Sequence, residues 1–114
     1  MRSFTDLDAW KKSRLLRNNI SDLVKSFPSE ERYRLTDQII RSSRSIGNNI
    51  AEGHGRFHYA DDSKFMLNAR GSAAETIDHL IIALDEKYIS EAVFENLKQI
   101  AKNAWKWLMD TLII

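Results

Sequence analysis

The side chains best suited to chemistry are histidines and acids near the middle of the chain. His54 and His58 are four residues apart, and Asp61 follows closely. Two imidazoles one helical turn apart, with a carboxylate nearby, can share a metal ion. However, glycines on both sides of His54 should break the helix that such a site requires. A metal- or ligand-binding bundle built on these three residues is therefore the weakest of three functional hypotheses.

No other catalytic constellation stands out. The chain has no cysteine and only three histidines, which argues against thiolate catalysis and a structural zinc site. The Glu-x-x-His pairs of di-iron bundles are absent from the sequence. Residues 53–55 resemble a fragment of a phosphate loop, but the lysine and the preceding strand are missing. His79, one helical turn after Glu75, is expected to hydrogen-bond in a helix seam. We therefore predict a non-enzymatic protein with no metal and no cofactor.

The elements that must position these residues are predicted to be helical throughout. With one proline and four glycines, the 114 residues leave little room for strands and turns. The length fits one domain, residues 1–114, with a core of its own. Short connections between long helices predict an all-α, antiparallel up-down-up-down four-helix bundle. The predicted helices span about residues 7–26, 29–53, 59–86 and 90–112.

Capping residues mark the helix ends. Thr5 or Asp6 is expected to cap the first helix, Ser29 the second and Ser90 the fourth. Residues 53–56 are expected to turn, because two glycines there tolerate positive φ.

The second helix carries two stripes at heptad spacing. The apolar stripe predicts its core face, and small Ser43 interrupts it. The other stripe is uncharged until its last member, which suits a packed, hydrogen-bonded seam better than a solvated face. The apolar stripe comprises Leu35, Ile39, Ile46 and Ile50, and the polar stripe Gln38, Ser42, Ser45, Asn49 and Glu52.

The third helix repeats this two-stripe design and completes a predicted polar network. We expect Glu52 to pair with Arg70, because a buried charge without a partner is costly. Gly71 among alanines should let another helix approach closely. The network is predicted to fix helix register and to consist of Gln38, Asn49, Glu52, Arg70, Ser72 and Glu75.

Two tryptophans lie at the end of the fourth helix. Trp105 and Trp107 are two residues apart and so point about 200° away from each other. One can face the core, while the other is predicted to lie in a subunit interface, because monomers rarely expose such groups.

The net charge of +1 hides an uneven distribution. Residues 32–70 carry a net +3, mostly from arginine, and residues 71–114 carry −3. Arginine forms bidentate contacts with phosphate, although pairing with acids of the same assembly is an equal alternative. The predicted nucleic-acid contacts are Arg34, Arg41, Arg44 and Arg56.

Four blocks, in order, resemble a bacterial family of four-helix bundles. Some of its members are encoded in intervening sequences of large-subunit ribosomal RNA genes, and others are accessory variability proteins of diversity-generating retroelements. A departure is Gly47-Asn48, where relatives commonly carry Pro-Ala, and it is expected to loosen the helix locally. The blocks are FxDLxxW from Phe4, FPxxExxxLxxQ from Phe27, SIxxNIAEG from Ser45 and ARGSxxE from Ala69.

The resemblance implies a homopentameric ring, a basic surface associated with RNA or DNA, and in one branch a reverse-transcriptase partner. It implies no enzymatic activity. The favoured hypothesis is thus an oligomeric, nucleic-acid-associated scaffold. The alternative is a protein-interaction ring that never touches nucleic acid. No membrane span or signal core is evident in the sequence, and a cytoplasmic location is expected.

Overall fold

The computed structural model describes residues 3–55 and 59–113, with side chains at 3–55 and 63–108. It contains four α-helices and, over the described residues, no strand, so the predicted all-α class is confirmed. None of the described helices is long and apolar enough to cross a membrane. The helices are α1 (Asp8–Leu23), α2 (Leu35–His54), α3 (Tyr59–Asp85) and α4 (Glu91–Ile113).

Each helix packs on two neighbours around one core. Helix α1 contacts α2 and α4, and α3 likewise contacts α2 and α4. The core-facing side of each helix repeats every three or four residues, the spacing that buries one stripe. The predicted apolar stripe of α2 is buried along its whole length, from Leu35 to Ile50. Buried partners on the other helices include Leu16, Ile20, Ala69, Ala73, Leu80, Leu97, Ala101 and Leu108.

Two of the three predicted N-caps differ from the structure. Ser90 Oγ accepts the backbone N–H of Val93 at 3.2 Å and caps α4 as expected. At the start of the chain, Ser3 instead caps a short 3-10 turn at Phe4–Asp6. Helix α1 then begins after Leu7, whose extended backbone makes no side-chain cap. Thr5 and Asp6 lie inside the preceding turn, so neither can act as the cap.

The connection from α1 to α2 is longer than predicted. Ser29 does not begin the helix but opens a separate 3-10 turn, Ser29–Glu31. The chain leaves helical geometry at Arg34, with φ −122° and ψ −109°, and α2 starts at Leu35. Reversal of the chain between two packed helices requires this break, which local capping signals do not encode.

Glycines near the end of α2 do not form the predicted positive-φ turn. The helix continues through buried Gly53 to His54, and Gly55 has an ordinary φ of −75°. The left-handed residue of the described chain is Lys87, with φ 63°. There the N–H of Tyr88 bonds the carbonyl of Ala83 at 2.9 Å. This six-to-one bond is the Schellman ending of a helix, in which glycine is the usual left-handed residue.

Helices α1 and α2 approach each other closely at Gly47. A Cβ atom at this buried position would lie 3.0 Å from Ser13 Oγ and 3.5 Å from Trp10 Nε1. Helix α2 is continuous here, so the expected local loosening is not seen. Because Gly47 has no side chain, α1 and α2 can pack tightly against each other at this position.

Candidate nucleic-acid and subunit surfaces

A hydroxyl seam joins α2 to α3. Thr76 Oγ1 donates to Ser42 Oγ at 2.8 Å, deep in the interface. One turn away, Ser72 Oγ donates to Ser45 Oγ at 2.9 Å. Asn49 Nδ2 donates to the same hydroxyl at 3.0 Å. Most of these groups are wholly or partly buried, so the seam satisfies polar atoms that would otherwise be costly.

The seam includes two members of the predicted network, two serines of the predicted polar stripe of α2, and one residue predicted in neither. Asn49 and Ser72 belong to it, whereas Gln38 is exposed and takes no part in these bonds. Thr76 was not predicted, although it lies four residues after Ser72, the helical step that continues a stripe. The same Thr76 hydroxyl oxygen lies 2.8 Å from the carbonyl of Ser72, so its one proton has an acceptor on each of the two helices.

The charged members of the predicted network lie outside the hydroxyl seam. Glu75 is exposed and contacts His79 Nε2 at 3.3 Å, as the four-residue spacing predicts. His79 is buried and its Nδ1 atom has no hydrogen-bond partner within the described chain. Glu52 is exposed, and the guanidinium of Arg70 stacks 6.0 Å from the Trp105 ring. Pairing of Glu52 with Arg70 stays a prediction.

Of the arginines predicted to contact nucleic acid, Arg41 forms an ion pair within α2. Arg41 Nε lies 3.1 Å from an Asp37 carboxylate oxygen, one turn earlier. Both side chains are largely exposed, so the pair contributes little stability but offsets the charge of Arg41. Arg34 and Arg44 are exposed, and neither has a carboxylate within 4 Å among the residues described. Arg56 lies outside the described residues.

A second basic cluster surrounds Trp10 on α1, and we call Trp10, Arg14, Arg17 and Arg44 the Trp10 cluster. The guanidinium carbons of Arg14 and Arg17 lie 5.8 and 5.9 Å from the centre of the Trp10 ring. The sequence signal was available, since residues four and seven positions after Trp10 share its helix face. Trp10 packs on Gly47 of α2, and Arg44 is exposed one helical turn before that glycine.

The two tryptophans of α4 lie on opposite flanks of the helix, and neither fills the core. Trp105 is 38% exposed and Trp107 is 42% exposed. The core stripe runs through Ala104 and Leu108, so residues 105 and 107 project about 100° to either side. Trp105 faces α3, where Arg70 stacks on it, while Trp107 faces α1, where Lys12 Nζ lies 5.9 Å from its ring.

The flank of α4 that carries Trp105 has further exposed apolar side chains. Beside Trp105, a groove between α3 and α4 is lined by Ala74 and Ile77, and Leu67 and Ile81 are exposed on the same side of α3. Gly71 is exposed there too, and a Cβ atom at its position would meet nothing within 4 Å. Among the described residues, no helix therefore uses the close approach that Gly71 was predicted to allow.

The weakest hypothesis, a metal site, gains no support from the part that can be described. His54 is half-buried at the end of α2, while His58 and the side chain of Asp61 lie outside the described residues. Within the described residues, no group of three or more metal-ligating side chains occurs.

Two comparisons with known proteins find relatives of this chain. The family model described as 23S rRNA-intervening sequence protein matches residues 5–110. A crystal structure from Bacteroides thetaiotaomicron, described as a protein with unknown function from the S23 ribosomal protein family, superposes with a TM-score of 0.85. The two chains are 27% identical over 91% of this chain and 97% of the other. No curated protein matches.

Proposed function

The chain belongs to the 23S rRNA-intervening sequence protein family, and on that basis we propose that it is a homopentameric, nucleic-acid-associated scaffold without enzymatic activity. In this proposal the bundle is antiparallel, up-down-up-down. The pairs Ser45–Ser72 and Ser42–Thr76 support that direction for α2 and α3, since residue numbers fall along one helix as they rise along the other. We place the scaffold in the cytoplasm, where a chain without cysteine needs no disulfide.

The observation that carries the proposal is the exposure of Trp105 and Trp107 on opposite flanks of α4. Large aromatic groups are enriched in the buried centres of protein interfaces. Because the two flanks are different surfaces, joining one to the other links subunits head to tail. Such contacts close into a ring when the rotation between subunits allows it.

Association with nucleic acid is supported by the arginines and by the family. Arg34 and Arg44 are exposed without a carboxylate within 4 Å among the described residues. A ring would repeat this positive surface in every subunit, and each phosphate contact adds affinity by releasing counterions. The proposed contacts are Arg34, Arg41, Arg44 and Arg56.

A second candidate is a ring that recruits another protein, such as a reverse transcriptase, without touching nucleic acid. The apolar groove lined by Ala74 and Ile77 favours it, because exposed apolar surface marks sites of protein association. In the first candidate the arginine surface binds nucleic acid, whereas in the second it does not.

Fluorescence anisotropy with a labelled single-stranded RNA and a labelled DNA duplex separates them. The scaffold hypothesis predicts binding whose association constant falls linearly with salt on a logarithmic scale. Absence of binding to both probes at low salt would reject the nucleic-acid role and leave the protein-recruiting ring.

A further inference from the structure

We propose that the nucleic-acid surface is centred on the Trp10 cluster, at the crossing of α1 and α2, and that Arg14 and Arg17 are its principal phosphate contacts. This inference rests on the proposed function and changes where the binding site lies. The contacts predicted from the sequence lie in and next to α2, at Arg34, Arg41, Arg44 and Arg56, whereas this proposal places the principal contacts on α1.

Trp10 is a fixed platform at this crossing. Its indole ring is half-buried, and Phe4 packs edge-on against it at 5.4 Å between ring centres. On its other side, Gly47 of α2 approaches so closely that a Cβ atom there would lie 3.5 Å from Nε1. Contacts from the turn at Phe4 and from α2 thus hold the ring in place. Groups that lie over the ring are positioned by it.

Arg14 and Arg17 lie over this ring, with guanidinium carbons 5.8 and 5.9 Å from its centre, within the range of a cation–π contact. A side chain that is positioned in this way before binding loses less conformational entropy when it binds a ligand. Neither group has a carboxylate within 4 Å among the residues that the structure describes. Their charges are consequently available to an anion from outside the protomer.

The local charge is far more positive than that of the whole chain. Residues 10–17 carry four basic side chains and residues 41–48 carry two, and neither stretch contains an acid. The two stretches meet where Gly47 contacts Trp10 and Ser13. Lys12 is turned away towards Trp107, and Arg41 pairs with Asp37. Arg44, one turn before Gly47 and exposed, adds its charge to those of Arg14 and Arg17.

The character of the surface favours a phosphate backbone over an acidic protein. Interfaces between proteins normally have an apolar centre. Apart from Leu15, the large apolar side chains that are exposed in the described chain lie outside residues 10–17 and 41–48, and the guanidinium groups of Arg14 and Arg17 lie over the half-buried Trp10 ring. Planar guanidinium groups match phosphate oxygens in a bidentate manner and are weakly hydrated, which suits repeated contacts along RNA or DNA.

The test compares two double variants of the full chain in the anisotropy assay over a series of salt concentrations. Arg14→Gln/Arg17→Gln removes two charges from the Trp10 cluster. Lys64→Gln/Lys98→Gln removes two exposed or half-exposed charges from α3 and α4 and serves as the matched control. Circular dichroism melting verifies that each variant folds.

For single-stranded RNA we expect the Arg14→Gln/Arg17→Gln variant to lower the magnitude of the salt slope by about 1.4, since each lost phosphate contact accounts for about 0.7. Affinity at about 0.1 M salt should fall about tenfold or more, while the control variant changes it less than about threefold. Equal losses in both variants would overturn the inference, because the effect would then be one of total charge.

Three other results would also overturn it, in distinguishable ways. If wild-type protein binds RNA but Arg14→Gln/Arg17→Gln binds equally well, the site lies elsewhere and the proposed function survives. If wild-type protein binds neither nucleic acid, the proposed function fails together with the inference. Polyglutamate is the competing probe: binding as tight as that of RNA, lost in the same variant, would assign the surface to an acidic polypeptide instead.

Discussion

Thr76 Oγ1 lies 2.8 Å from Ser42 Oγ, so that a threonine of α3 and a serine of α2 share a hydrogen bond in the buried middle of their interface. Ser42 Oγ in turn donates to the carbonyl of Ile39 at 3.3 Å. The hydroxyls therefore form a directed chain that links the two helices and ends on backbone. Such a chain fixes their register more narrowly than apolar contacts can.

We predict that Thr76→Val lowers the free energy of unfolding by about 1–2 kcal/mol, because the shape is kept while the buried hydroxyl and the hydrogen bond that it donates are lost. Urea denaturation measures the change. Thr76→Ser keeps the hydroxyl and serves as the control for the bond, although it loses a buried methyl group. A Val variant as stable as wild type would show that the seam contributes no net stability.

Gly47 and Ser13 are predicted to be energetically coupled. Alanine at residue 47 gains helix propensity of about 1 kcal/mol, but its Cβ would crowd Ser13 Oγ at 3.0 Å. Since Ser13 Oγ is held by a 2.7 Å bond to the Trp10 carbonyl, we expect Gly47→Ala to destabilise the wild-type chain. In a Ser13→Ala background the same change should stabilise it. Equal effects in both backgrounds, measured by a double-mutant cycle, would contradict the crowding argument.

Lys87 offers a stabilising substitution. Its φ of 63° is costly for a side chain with a Cβ atom and free of cost for glycine. Lys87→Gly is therefore expected to raise the free energy of unfolding by about 1 kcal/mol in urea denaturation. Lys87→Ala keeps the strain and removes the charge, so it should bring no comparable gain. A destabilised Gly variant would mean that the lysine side chain makes a larger contribution than the backbone strain.

Tyr88 makes the fold sensitive to alkali. The pKa of Tyr88 is raised above its ordinary value of 10.0, first by partial desolvation and then by the acceptor and the negative charge of Glu31. Below about pH 10, the phenol is protonated in both the folded and the unfolded chain. As the pH rises further, the unfolded chain loses its proton first, so the free energy of unfolding falls through the raised pKa.

We therefore predict that Tyr88→Phe loses less stability than wild type between about pH 8 and about pH 11 in urea denaturation. Tyr33→Phe is the control, because Tyr33 is 82% exposed. If Tyr88→Phe and wild type lose equal stability over this range, the phenol is not the group responsible.

The proposed subunit surface can be tested without touching the core. Ala74 is exposed in the groove beside Trp105, so Ala74→Arg should disrupt self-association while the protomer stays folded. Asn18→Arg places the same charge on an exposed position of α1 and should leave the assembly intact. Sedimentation velocity gives the distribution of species. An unchanged sedimentation coefficient for Ala74→Arg would remove this groove from the interface.

The elements with strong periodicity could be predicted from the sequence. The stripe from Leu35 to Ile50 and the cap at Ser90 depend on residues within one helix, so local pattern determines them. The helix-to-helix spacing of Ser45 and Ser72 follows from matching polar stripes. Predicting these features does not require knowing how the chain turns between helices.

The rest depends on contacts between distant segments. The start of α2 at Leu35 and the left-handed Lys87 arise where the chain reverses, and residues that merely tolerate a turn do not reveal its geometry. The Trp10 cluster forms because Gly47 admits the indole. Trp105 and Trp107 were expected to divide between core and surface, but small Ala104 takes the core position between them.

The most direct test of the proposed ring is the solution mass, measured by light scattering coupled to size-exclusion chromatography. Five copies of the 13.2 kDa chain would give about 66 kDa. That mass would support the proposal that the flanks carrying Trp105 and Trp107 join neighbouring subunits. A mass of about 13 kDa, that of one chain, would contradict the scaffold and leave the exposed tryptophans as features of a monomer.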